Sequence, residues 1–280
     1  MVRVPINGTE LEVEVLGPEG APVIIAHHGG PGMSSRAEPK ASFGGLADAY
    51  RVLVFDARGS GASGLDGPFT HEQWAADVDA LRAWIGVEQI IVAGGSYGGF
   101  ISLEYALRYP DRVRAIVLRD TAPSGAHQED ARRNALSSDR TQVNVATYER
   151  MMRGELTSDD DFRAAYRGIM PLYGATFDPD EDLTPKLAAI PFHHATHNAA
   201  FAENLPAYDV IDRLPTIAVP VLITVGRHDW ITPVAQSELI AQGILGSELV
   251  IFEHSGHSPQ VEERDLWLAT IRDFLQRRLG

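Results

Sequence analysis

Cysteine is absent from the 280-residue chain, and lysine nearly so, with Lys40 and Lys186 the only two among 24 Lys and Arg side chains. The first absence excludes disulfide scaffolds, thiolate-bound metals and cysteine nucleophiles, so a nucleophile here has to be an oxygen or an amine. The second, set against 38 acidic residues and a formal charge of −14, argues against nucleic acid and anionic membrane as partners, because both need a dense basic face. No apolar run approaches the ~18 residues of a membrane span. Arg3 stands at the start with no apolar leader stretch after it, which predicts a cytoplasmic protein. What is present, 44% hydrophobic and 22% charged residues, suits one large core and excludes intrinsic disorder. Internal repeats and low-complexity tracts are also missing.

Apolar runs at 2–6, 11–16, 22–26, 52–55, 89–93, 114–118, 220–225 and 248–252 read as strands. The first two flank Asn7-Gly8, a two-residue turn signal, so the chain opens with an antiparallel hairpin. Later runs are nearly continuous in Val, Ile and Leu, as in strands covered on both faces. Trp74, Val78, Leu81 and Ile85 recur at helical spacing behind a capping box of Thr70 and Gln73. Another helix runs from Tyr97 to the Tyr109-Pro110 stop. Strand and helix alternating with right-handed crossovers give an α/β fold, a doubly wound, mostly parallel twisted sheet with helices on both faces. Between 121 and 208 the strand rhythm gives way to helices, with starts at Ser158 and Thr184-Pro185. This stretch reads as a helical cap inserted after the sixth strand, leaving 1–120 and 209–280 as one core domain, closed by helices over 234–244 and 265–279.

Gly94-Gly-Ser-Tyr-Gly-Gly99 places the pattern G-x-S-x-G between a strand and a helix. Such a tight turn lifts Ser96 to the top of the sheet, with glycines where backbone meets backbone; a phosphate-binding glycine turn is the competing reading. A serine needs a base to take its proton, and the base needs an acceptor that fixes its tautomer. Asp229 follows the seventh run and His257 the eighth, in the order Ser, Asp, His. The competitors are His228 and His254 as base and Asp120, after the sixth run, as acid. Gly256 permits a loop that swings His257 over the sheet, whereas His254 lies closer to the strand end. Acyl transfer also needs preorganised donors for an oxyanion. Pro31 in His27-His-Gly-Gly-Pro-Gly32 has no N–H, leaving Gly29 or Gly30; Gly30 is assigned, with Tyr97 as the second donor. Asp56-Ala-Arg-Gly-Ser-Gly-Ala-Ser63 reads as a supporting loop with Arg58 tied to a carboxylate. His193, His194 and His197 have the spacing of metal ligands, but no H-E-x-x-H accompanies them, and they are read as polar cap lining with no metal. Of the cap aromatics Phe162, Tyr166, Tyr173, Phe177, Phe192 and Phe201, most are expected in the core and one or two at the acyl pocket.

Together, His28-Gly-Gly-Pro-Gly32, the 56–63 segment, Gly94 to Gly99, Gly226-Arg-His-Asp229 and Ser255-Gly-His257 resemble the proline iminopeptidase branch of the α/β-hydrolases. The resemblance covers the whole core, and H-G-G-P-G is its most specific element. It implies an α/β-hydrolase fold of about eight strands with a helical cap. It also implies a cofactor-free Ser-His-Asp hydrolase that removes an N-terminal residue, often proline, from a short peptide or amide through an acyl-enzyme. A late-cap glutamate would then hold the substrate's protonated amine. Here His197-Asn-Ala-Ala-Phe201 occupies that stretch, with histidine where the acid would be, and Trp230 follows the triad aspartate where one branch has a second glutamate. Glu203, or more distantly Asp209, is the replacement acid, so Gly29, His197, Glu203 and Trp230 form the expected substrate-facing set. The alternative is a carboxylesterase or lactonase on neutral acyl groups; a catalytically silent receptor of this fold is a third reading, opposed by the complete triad. The expected partner is a small molecule or short peptide, and the expected assembly a monomer or small homo-oligomer.

Overall fold

The computed structural model describes every residue from Met1 to Gly280. Its strands are β1 (Val2–Ile6), β2 (Thr9–Leu16), β3 (Val23–His27), β4 (Arg51–Phe55), β5 (Ile90–Gly95), β6 (Val113–Arg119), β7 (Val221–Gly226) and β8 (Glu248–Phe252). They form one sheet in the order β1-β2-β4-β3-β5-β6-β7-β8. β2 pairs antiparallel with both β1 and β4, and the remaining pairs are parallel. At the opening hairpin Ile6 faces Thr9, and Asn7 and Gly8 take φ of 44° and 82°, the two left-handed residues of a type I′ turn.

The central strands are buried from end to end, and alternate side chains serve opposite layers because the strand repeat is two. Ile25, Leu53 and Val92 pack with Trp74 and Leu81 of α2 (His71–Ile85) and Phe100 of α3 (Tyr97–Arg108). Ile24, Val52 and Ile91 pack on the other side with Phe43 of α1 (Ala37–Phe43) and Trp267, Ile271 and Phe274 near the C-terminus. The expected capping box on α2 is half made. Thr70 Oγ1 accepts from Gln73 N at 3.1 Å, but the Gln73 side chain does not reach back to accept from Thr70 N–H; it turns onward, Nε2 donating to Asp77 Oδ1 (2.9 Å).

Between β6 and β7 lie α4 (His127–Ser137), α5 (Val145–Met152), α6 (Asp159–Ile169), α7 (Thr184–Ala188) and α8 (His194–Ala199), then a π-helical turn (Ala200–Asn204) and α9 (Leu205–Ala207). The two ends of this segment meet: Ser124 bridges to Asp209, and Val210 N donates to Pro123 O (2.9 Å). Ser158 caps α6, accepting from Asp161 N at 3.1 Å. Phe162, Tyr166, Ile169 and Phe192 give the segment its own apolar cluster, joined by Trp230 and Ile231 from the loop after β7. α10 (Val234–Gly243), α11 (Pro259–Glu262) and α12 (Arg264–Leu279) complete the chain. No helix is long and apolar enough to cross a membrane.

Candidate active site

Ser96 sits between β5 and α3 with φ 54° and ψ −125°, a left-handed conformation that a side-chain-bearing residue holds only under external restraint. The restraint is the end of β6: Ser96 N donates to the carbonyls of Arg119 (2.9 Å) and Asp120 (3.1 Å). α3 also comes very close to β3. A Cβ on Gly98 would lie 2.5 Å from His27 O and 2.6 Å from His28 O, so only glycine fits. Tyr97 N–H heads α3, in the first turn where amides have no partner within the helix. Its ring is locked below, the hydroxyl 2.7 Å from His71 Nε2.

Gly30 lies on the turn after β3 and lines the same cavity as Ser96 and Tyr97, while Gly29 runs so close to Ser96 that a Cβ added to it would meet Ser96 Cβ at 3.0 Å. The 56–63 loop holds this turn from beneath. Gly32 N donates to Ser60 Oγ (3.0 Å), Ala57 N donates to His28 Nε2 (2.9 Å), and Arg58 pairs with Asp77 at 2.9 Å.

His257 Nδ1 lies 2.9 Å from Asp229 Oδ2, the geometry in which the carboxylate holds Nδ1–H and leaves Nε2 free. Asp229 also accepts from Ile231 N (2.9 Å), Thr232 N (3.2 Å) and Thr232 Oγ1 (2.7 Å). Burial opposes its charge, but His257 and these donors outweigh that and hold the carboxyl below its usual range. For His257 burial disfavours the imidazolium, yet Asp229 reverses the balance and raises its pKa. Tyr173 braces the imidazole from the cap, its carbonyl accepting from His257 N at 2.7 Å and its ring standing edge-on at 5.4 Å. Ser96 and His257 face one cleft. The competing bases His228 and His254 are exposed.

Two chambers open from Ser96. The inner one is lined by 18 residues, 12 of them hydrophobic, including Phe100, Met151, Phe162, Ile169, Phe201 and Leu205; none is acidic. The outer one is polar, with Ser34, Glu38, Arg119, Ser258 and Gln260 around Gly29, Ser96 and His257.

Of the expected substrate-facing residues, Gly29 lines the outer chamber and His197 the inner one. Glu203 does not: the π-helical turn carries Phe201 into the chamber and leaves Glu203 exposed. Asp209 is exposed too, its carboxylate accepting from Ile211 N at 2.9 Å. Trp230 is a correction of a different kind. The backbone curls around Asp229 so that the amides of Ile231 and Thr232 reach its carboxylate, and this turns the Trp230 indole away into the cap cluster, edge-on to Tyr173 at 5.6 Å. The histidine cluster diverges, with His193 near Gly61 O (3.1 Å), His194 near Asp159 (2.7 Å) and His197 near Met151 O (3.0 Å). Four of the six cap aromatics, Phe162, Tyr166, Tyr173 and Phe201, line the inner chamber, more than expected. Phe100, His127, Met151 and Met152 at this chamber, and Glu38, Arg119 and Gln260 at the outer one, carry no sequence signal of their own, because their spacing on helices, or at a strand end for Arg119, is that of ordinary core or surface positions.

His197 stacks on Phe201 at 4.2 Å, and burial lowers its pKa to about 4. His71 is likewise lowered to about 4 and His27 to about 3, chiefly by burial. Since the unfolded chain binds these protons first, stability is fully present above about pH 6.5 and falls as pH drops toward 4. Urea midpoints measured across that window are expected to decline, and His197→Gln to flatten the slope by up to ~1.4 kcal/mol per pH unit. An unchanged slope would show His197 to be protonated in the fold.

Residues 22–264 match the family model described as alpha/beta hydrolase fold. The chain is 37% identical to proline iminopeptidase PfmaB of Pestalotiopsis fici, over 98% of this chain and 99% of the relative. Among solved structures it resembles the enol-lactonase of Burkholderia xenovorans (TM-score 0.78, 26% identity, 98% and 100% of the two chains). A thermophilic esterase of Thermogutta terrifontis is also similar (TM-score 0.71, 29% identity, 99% of each chain).

Proposed function

Because the chain belongs to the α/β-hydrolase fold family, in its proline iminopeptidase-like branch, we propose that it is a serine hydrolase of esters or lactones with an apolar, uncharged acyl group. In this reading Ser96 Oγ attacks the acyl carbonyl while His257 Nε2 takes its proton, and Asp229 keeps the imidazole oriented and steadies the imidazolium. The oxyanion is met by the N–H groups of Gly30 and Tyr97. His257 then protonates the departing alcohol, and water hydrolyses the acyl-serine with the same imidazole as base.

The observation that carries the choice of substrate is the absence of any carboxylate in the inner chamber. A protonated N-terminal amine placed there would lose its hydration with no counter-charge, a penalty of several kcal/mol. His197 does not help, because at neutral pH it is uncharged. The outer chamber, which also opens onto Ser96, suits a polar leaving group. The enol-lactonase and esterase likenesses agree with this reading. The relative named a proline iminopeptidase favours the second one, an aminoacyl amidase, and that reading requires the amine to bind in the inner chamber without a facing acid or in the outer one beside Glu38, which is already paired with Arg119 (2.8 Å).

The test compares kcat/KM for 4-nitrophenyl acetate and butyrate with L-proline 4-nitroanilide and its N-acylated form. Esters are expected to win by at least ~100-fold, about 2.7 kcal/mol in transition-state stabilisation. Faster turnover of the free-amine amide, lost on N-acylation, would establish an amine site and overturn the ester reading.

A further inference from the structure

The triad as described makes no use of the Asp120 carboxyl group, although the residue is wholly buried beside it. Asp120 follows β6 with φ of 46°, a left-handed backbone that aspartate and asparagine tolerate better than other residues bearing side chains. Its main chain is fixed on both sides, N donating to Thr224 O (2.8 Å) and O accepting from Ser96 N (3.1 Å). Side-chain Oδ1 accepts from Gly226 N at 2.8 Å. Oδ2 has no hydrogen-bond partner, a costly state for a buried oxygen.

That carboxyl group lies inside the triad. One oxygen each of Asp120 and Asp229 and one ring nitrogen of His257 all fall within 4.8 Å of one another. The charged neighbours are few. Arg119 Nη1 is 3.9 Å from Oδ2 and shares its charge with Glu38 of α1 (2.8 Å); His127 of α4 faces Asp229 and His257 from the cap. Burial, then the charge of Asp229, pushes Asp120 up to about 7, as expected when two carboxyl groups share one site.

Building on the Ser-His-Asp reading, we propose that Asp120 is a second acid of the catalytic site, a positioning residue that can accept the His257 Nδ1–H hydrogen bond in place of Asp229. The ends of β6 and β7 are adjacent in the sheet, so both strands deliver a carboxyl group to the same imidazole. The strained backbone at 120 and the unpartnered Oδ2 are then features of a carboxyl group held ready for a donor that Asp229 normally occupies.

The experiment compares Asp229→Asn, Asp120→Asn and the double variant by kcat/KM from pH 5 to 9 on a 4-nitrophenyl ester. Asparagine keeps an Oδ1 acceptor for Gly226 N–H and tolerates the left-handed backbone. Loss of a triad acid with no substitute costs ~10⁴ in kcat. With Asp120 in reserve, Asp229→Asn is expected to lose only ~10–100-fold at pH 8, where Asp120 freed of its charged neighbour is ionised, and to lose more as Asp120 protonates at lower pH. The double variant is expected to fall to the ~10⁴ level. Asp229→Asn as inactive as the double variant at every pH, or a double variant no worse than Asp229→Asn, would overturn the proposal. Should the double variant fail to fold, the pH profile of Asp229→Asn decides alone, since a loss of ~10⁴ at every pH contradicts a reserve acid. His257→Ala runs in parallel: if it stays active, it is the triad reading that has failed.

Discussion

Ser96→Ala is expected to lower kcat by ~10⁴–10⁶, the range set by removing a serine nucleophile whose partners act as one unit. The fold should survive. The restraints on residue 96 are main-chain bonds to Arg119 and Asp120, and alanine keeps both, along with the Cβ beside Gly29. The urea midpoint is therefore predicted to stay within ~0.5 kcal/mol of wild type. What activity remains would come from the oxyanion donors and the chamber alone. Near-normal turnover by the variant, with the same ester preference, would remove Ser96 from the mechanism.

Arg58→Ala is expected to be the most damaging substitution away from the reacting atoms. Arg58 and Asp77 are each only 1% exposed and are joined through Nε and Nη2, both at 2.9 Å. The remaining donors reach the carbonyls of Asn7, Asp66 and Gly67, so one guanidinium ties the opening hairpin, the 56–67 loop and α2 together. Removing it leaves Asp77 buried without its cation, which costs about 3–5 kcal/mol and lowers Tm by roughly 10 °C. Arg58→Lys keeps the charge but not the fork that serves these acceptors, and should recover only part of the loss. Pairing Arg58→Met with Asp77→Leu should recover more than Arg58→Ala, because no charge is then left buried. Calorimetry on these three variants and the wild type checks this order. An unshifted Tm for Arg58→Ala would mean that the pair is solvated.

The strands were readable because each is a short apolar run ended by a turn residue, and the structure moves their bounds by two residues at most. Asn7-Gly8 and Pro110 carry their backbone preference with them, so hairpin and helix stop appear where those residues stand. Ser96, Asp229 and His257, the residues of the proposed mechanism, could be picked out for a related reason: β5, β7 and β8 run parallel, so their C-terminal ends lie on one side of the sheet, and the glycine-rich turns announce which residue each loop presents.

The cap was legible only in outline. Which of its faces meets Ser96 depends on how helices pack, and a single residue of register decides between chamber and solvent, as Phe201 and Glu203 show. Trp230 misled because it neighbours Asp229 in the chain. Wrapping amides around a buried carboxylate turns the next side chain away, and composition gives no sign of it. Asp120 had the opposite fate: as the competing acid it looked redundant, and only its burial beside Asp229 shows that the two acids share a site.

Trapping the acyl-enzyme tests the central claim most directly. Wild-type protein mixed with excess 4-nitrophenyl butyrate, quenched in acid within the first turnover and digested, is predicted to carry one butyryl group on the peptide containing Ser96. Ser96→Ala treated in the same way should carry none. Burst release of 4-nitrophenol with the label on another residue, or a burst with no labelled peptide at any quench time, would contradict a mechanism that runs through Ser96.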